Sequence, residues 1–334
     1  MRTTHCIVVL ILLSALRCFF TPLAFAQESQ KDKHFMLVTS FGPGGIELPS
    51  GGVWKAELLT IYDDGRRPVA QFSKTGDGLN VSYILFENLS GQPNAQGCRE
   101  DVINPLVGQQ AKSTSKRVDG EATNTAGETL ATTSYLIDAG GLHQHNLFGF
   151  AGNTHTCAEI HISSMLETPE ALATMKAVLN DFHPDLNYKA SFAEYFVLAS
   201  FFFNHSQPKL AAPYYRASLE VLPDAPSSLQ YRRVMTDQLV MSLGMSGDLK
   251  NSRALAEKAA ASDPDYPLNY YNLACVDAEQ LNAKDARTHL QQAFDRRANV
   301  IKGESMPDPT KDDSLLKLKN DKEFWSFVES LPKK

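Results

Sequence analysis

From about residue 34 to 182 the apolar residues fall in short runs, broken by turn signals such as Gly42-Pro43-Gly44-Gly45, Asp63-Asp64-Gly65 and Gly76-Asp77-Gly78. Runs of this length, rich in β-branched and aromatic residues and bounded by glycine, aspartate and proline, predict strands over 53–62, 68–73, 79–86, 129–137, 145–150 and 156–163. Short turns between neighbouring runs imply a largely antiparallel sheet. Two segments break the rhythm. Residues 98–107 suit a short helix ended near Pro105, and 168–182 suit a second. In the second, Thr168 is placed to cap, Pro169 takes the first helical position, and Leu172, Met175, Val178, Leu179 and Phe182 share one face. A sheet with helices to cover it gives an α+β layer.

From Tyr188 onward the spacing becomes helical and acquires a period. Tyr270, Leu273, Ala274, Ala286, Leu290 and Ala293 follow a large and small order that is repeated by Thr236, Leu239, Val240, Leu243, Ser252, Ala256, Ala259 and Pro264. Tyr270 stands 34 residues after Thr236. A further set fits upstream: Tyr195, Leu198, Ala199, Phe202, Ala211, Tyr215, Ser218 and Pro223. It lies 41 residues before the next set, with the surplus in the connection 224–230. In spacing and residue order these sets resemble tetratricopeptide repeats, two antiparallel helices per unit, and three units suffice for a stable stack. The residues from Tyr271-Asn272-Leu273-Ala274-Cys275 to Asp312-Asp313, Leu316 and Glu323-Phe324 resemble the terminal repeat of many bacterial arrays of this family, in which a last short helix covers the open core. The arrangement of the N-terminal half broadly resembles the small antiparallel α/β sandwiches of the PsbP and Mog1 type, in layout and not in any motif.

The expected organisation is therefore α+β: a signal peptide at 1–26, a flexible mature N-terminus at 27–33, an N-terminal antiparallel sheet domain with covering helices at 34–184, an all-α stack of tetratricopeptide-like helical hairpins at 185–300, and a linker with a C-terminal capping helix at 301–334. The leader rests on Arg2, an apolar run from Cys6 to Leu16, and Ala24-Phe25-Ala26 before the polar Gln27-Glu28. Arg17 splits the apolar stretch into pieces too short to span a bilayer, so no membrane span is expected after cleavage.

Export changes the reading of the cysteines. Cys6 and Cys18 leave with the leader, Cys98 and Cys157 become a candidate disulfide, and Cys275 reads as a buried thiol within a helix. The net charge of −6 over 334 residues gives no electrostatic footprint for nucleic acid.

His143, His145, His155, Cys157, Glu159 and His161 are of metal-ligating types and lie close together in sequence. Side chains two apart on one strand stand about 7 Å apart, so alternating ligands cannot all converge on one ion. The plainer reading is the polar face of a half-buried strand, with Thr156, Ala158, Ile160 and Ile162 inward. No metal or cofactor is expected. No G-x-S-x-G, H-E-x-x-H, Walker-type loop or C-x-x-C occurs in the sequence, so no catalytic residues are assigned.

The family resemblance implies a ligand groove lined by the first helix of each pair. By register it would comprise Phe196, Ser200 and Phe203, then Asp237, Met241 and Met245, then Tyr271, Cys275 and Glu279. With no lysine or arginine at these positions, the groove departs from relatives that clamp a peptide carboxylate, and an apolar segment of a protein or peptide partner suits it better. The same positions could instead be covered by the α+β domain or by the helix carrying Phe324, Trp325 and Phe327. The sequence thus points to an exported, periplasmic or secreted, non-enzymatic interaction scaffold with an accessory α+β recognition domain. The alternatives are an α+β domain that binds a small ligand or metal or is catalytic, and self-association through the repeats.

Overall fold

The computed structural model describes residues 35–49, 55–59, 69–76, 78–109 and 114–332. The expected leader and mature N-terminus, the Asp63-Asp64-Gly65 turn and the ends of the strand expected over 53–62 lie outside these residues. The described chain divides into two compact units, within 32–222 and 223–334.

The first unit is α+β. Strands β1 (Phe35–Val38), β2 (Gly45–Leu48) and β10 (Pro184–Asp185) form a small antiparallel sheet in the order β1-β2-β10. Strands β3 (Lys55–Leu59), β4 (Val69–Gly76), β5 (Leu79–Glu87), β6 (Thr114–Thr123), β7 (Thr129–Ala139), β8 (Leu142–Gly152) and β9 (Thr156–Ser164) form an antiparallel sheet in the order β3-β4-β5-β9-β8-β7-β6. Its helices are α1 (Ala95–Gln109), α2 (Pro169–Asn180), α3 (Phe192–Asn204) and α4 (Pro208–Val221).

Helix α2 begins as its sequence dictates: the Ala171 amide donates to Thr168 Oγ1 at 3.2 Å, Pro169 opens the helix, and Ala171, Met175 and Leu179 turn inward. It covers one face of the large sheet, where Leu179 packs over Gly149 and Phe182 lies 5.9 Å from Tyr83. The other face is covered by α1, whose Cys98, Val102 and Ile103 pack with Ile84, Phe86, Phe150 and Cys157. A Cβ at Gly152 would strike Cys98 Sγ and the Asn94 carbonyl, so glycine there lets α1 approach the sheet. Helix α1 runs on through Pro105, where the sequence suggested an end, because Val102, Ile103 and the partly buried Leu106 hold it on the sheet.

Three features differ from the sequence expectation. β6 reads TSKRVDGEAT, without an apolar stripe, because it is a sheet edge, where charged side chains are the rule. β9 is central, with strands on both sides and helices on both faces, so Cys157 and Glu159 are buried along with Ala158, Ile160 and Ile162. Its polar side is an interior surface and not the outer face of a half-buried strand. Finally, the α3–α4 hairpin belongs to this unit: α3 packs on β1, and Phe201 stands 6.4 Å from Phe72 of β4.

The second unit is helical: α5 (Leu229–Met245), α6 (Leu249–Ser262), α7 (Pro267–Glu279), α8 (Ala283–Asp295), α9 (Asp313–Leu316) and α10 (Lys322–Ser330). Side-chain caps at Asp248, Asn282, Asp312 and Asp321 start α6, α8, α9 and α10. Antiparallel pairs α5–α6 and α7–α8 stack, with Val240, Ala256 and Leu273 interlocking between them. Tyr271, Ala274, Ala286, Leu290 and Ala293 continue into a core closed by Leu315, Phe324 and Val328. Among the described residues no helix is long and apolar enough to cross a membrane.

Candidate functional site

The nine expected groove residues fall in both units. Phe196, Ser200 and Phe203 lie along one face of α3 around Tyr215, whose ring is 6.0 Å from Phe196 and 6.4 Å from Phe203 and whose hydroxyl is 3.5 Å from Ser200 Oγ. Asp237, Met241 and Met245 lie on α5, and Tyr271, Cys275 and Glu279 on α7, in the helical unit.

On α7 those positions are taken by the chain itself. The Tyr271 hydroxyl donates to Asp312 Oδ2 at 3.2 Å, the Cys275 thiol donates to the same carboxylate at 3.7 and 3.8 Å, and Lys317 pairs with Glu279. One turn earlier, the Tyr266 hydroxyl donates to Glu304 Oε1 at 2.9 Å. Leu315, fully buried, follows from the cap that Asp312 provides to the Ser314 and Leu315 amides. The strap from Ile301 to Leu318, rather than the helix bearing Phe324, Trp325 and Phe327, is the cover. That helix, α10, packs instead against α8, with Arg287 donating to Glu323 at 2.5 Å and lying over Phe327.

Burial dominates the electrostatics under the strap. It pushes the Asp312 and Glu304 carboxyls above the ordinary range and the Cys275 thiol well above its own, with Asp312 adding to the last. Asp237, which accepts from Asn272 Nδ2 at 2.8 Å, is raised to about 7, chiefly by desolvation. A thiol so disfavoured as thiolate is a poor nucleophile. Beyond the strap, Met241 is half-buried and Met245 is 62% exposed.

Sequence reasoning missed Asp277, which sits on α7 with 0% exposure. It accepts from Arg253 Nη2 of α6 at 2.5 Å and from His289 Nδ1 of α8 at 2.6 Å, tying three helices together. No local pattern marks it, because both partners are remote in sequence. Asp277→Ala is expected to lower unfolding free energy by about 2 kcal/mol, as both partners keep access to water. Urea titration of the variant beside Asp277→Asn would measure this, and an unchanged midpoint for Asp277→Ala would remove the role.

In the α+β unit, Cys98 and Cys157 form a disulfide with Cα atoms 5.7 Å apart, which removes Cys157 from any ligand set. Glu159 is 4% exposed between Ile84 and Phe150, and burial pushes its carboxyl up to about 8. His161 stacks on Phe148 at 4.1 Å and bonds Asn146 Oδ1 through Nε2 at 2.9 Å, with burial driving its ring down to about 4. His155 is exposed, and His143 and His145 stand at the far end of β8. As placed, no three histidine, cysteine, aspartate or glutamate side chains among the described residues could hold one ion. No protein-family model matches the chain, and no curated protein matches it.

Proposed function

We propose that this chain is an exported, periplasmic or secreted, non-enzymatic interaction protein. Its C-terminal hairpins are of the tetratricopeptide type and receive a protein partner, and the α+β unit is a second recognition module. The reading rests on the inner face made by α5 and α7. On α7 that face already seats a length of polypeptide, its own strap, through side chains at the positions where this repeat family binds ligands. On α5 it leaves Met245 exposed beside the half-buried Met241, an adaptable apolar surface suited to a partner's apolar segment. The 34-residue register and the interlocked small residues Ala256, Ala274, Ala286 and Ala293 support the family assignment.

A photo-crosslinking residue placed at Met241 or Met245 of the mature protein in its native envelope is expected to capture one discrete partner. The same residue at the exposed Lys258 of α6 should capture none. Identical products at all three positions, or none at any, would overturn the reading.

A further inference from the structure

Four side chains with metal-ligating atoms converge at one end of the large sheet; sequence reasoning grouped His143 and His145 but joined neither to Asp138 or Glu167. Ala139 and Leu142 are paired, so Gly140 and Gly141 form a two-residue hairpin loop, both at positive φ (62° and 83°), as a twist-matched tight turn requires. That turn sets Asp138 directly across from His143. His145, two residues on, shares their face of β8. Glu167 arrives from β9: the Leu166 amide donates to Ser164 Oγ at 3.0 Å, turning the chain, and Thr168 then caps α2. The backbone on both sides of Glu167 is therefore fixed.

The distances are informative. His143 Nδ1 lies 3.3 Å from Asp138 Oδ1 and 4.0 Å from Glu167 Oε1, and His145 Nε2 lies 4.0 Å from that same Glu167 oxygen. Two imidazoles thus face one carboxylate oxygen from beyond hydrogen-bond range. Ligand atoms about 2.1 Å from a tetrahedral ion stand about 3.4 Å from each other. One pair is already there, and the two contacts to Glu167 are wider by about 0.6 Å. The side chains of His143, Asp138 and Glu167 are each about half exposed, so side-chain rotation on a fixed backbone can close the gap.

We propose that Asp138, His143, His145 and Glu167 form a binding site for a divalent transition-metal ion of the zinc class. Two imidazoles and two carboxylates match the ligand preference of such ions, and the carboxylates balance the dication. A bound ion would clip the β7–β8 hairpin to the β9–α2 connection. Calcium or magnesium, which prefer sets made wholly of oxygen ligands, would not compete.

Isothermal titration of tag-free mature protein with zinc chloride tests the site. One ion per chain is expected, unaffected by millimolar magnesium, with at least a tenfold loss of affinity in His143→Ala/His145→Ala and none in His155→Ala. Circular dichroism of the double variant should match wild type, since both rings lie outside the core. Absence of stoichiometric binding, or a double variant that binds as wild type does, would overturn the proposal.

Discussion

Replacing Cys98 and Cys157 together by alanine is expected to lower the unfolding free energy of the α+β unit by about 4 kcal/mol, the chain-entropy value for a cross-link spanning 59 residues. The bond joins the outer layer to the centre of the sheet, since Cys98 is on α1 and Cys157 on β9. Without it, α1 is held by its apolar contacts through Val102, Ile103 and Leu106 and by the polar contacts of Arg99 with the Gly120 carbonyl and of Asn104 with Arg117, with Pro105 weakening the helix between them. Loss of order is therefore expected to begin in α1. Hydrogen exchange of the amides of 95–109 should rise in the variant to the level of reduced wild type, while those of β5 and β9 rise less. A variant with wild-type exchange and an unchanged denaturation midpoint would show that packing alone holds α1 in place.

What the sequence revealed and what it concealed divide along a physical line. β5, β7 and β9 were legible because their apolar runs are bounded by turn residues, and α2 because Thr168 and Pro169 mark its start. β6 was not legible, since an edge strand needs no apolar stripe. The α3–α4 hairpin carries the large and small order of a repeat, in Leu198, Ala199, Phe202, Ala211 and Tyr215, yet packs with the sheets. Periodicity reports which residues a helix buries and not against what. Tyr271 and Glu279 share a face of α7 and contact Asp312 and Lys317, which stand 41 and 38 residues on in sequence, a separation at which no local pattern marks the contact. The burial of Glu159 was hidden for a related reason: a polar residue on a strand reads as facing out until the helix that covers it is known.

That burial leads to the second large effect. Glu159→Gln is expected to reshape the pH dependence of stability. In wild type, burial lifts the carboxyl from 4.5 to about 8, so the folded chain keeps a proton that the unfolded chain releases. Between those values the unfolded state binds fewer protons, and stability falls as pH rises, by a total on the order of 5 kcal/mol. The neighbouring His161 acts in the opposite sense. Its ring, lowered from 6.5 to about 4 by burial, stays neutral in the folded chain while the unfolded one takes up a proton, so stability rises with pH between those values. The two slopes oppose each other from about pH 4.5 to 6.5, and above that the Glu159 slope continues without the offset from His161. The stability of wild type relative to Glu159→Gln should therefore fall between about pH 4.5 and 8 and stay constant on either side of that window. Asp237, raised to about 7 in the helical unit, contributes equally to both proteins and cancels in the difference. Urea unfolding at pH 5, 6.5 and 8.5, followed by circular dichroism, separates the outcomes. Parallel profiles for the two proteins would mean that Glu159 is ionised in the folded state, and that something offsets the cost of its charge beneath α1.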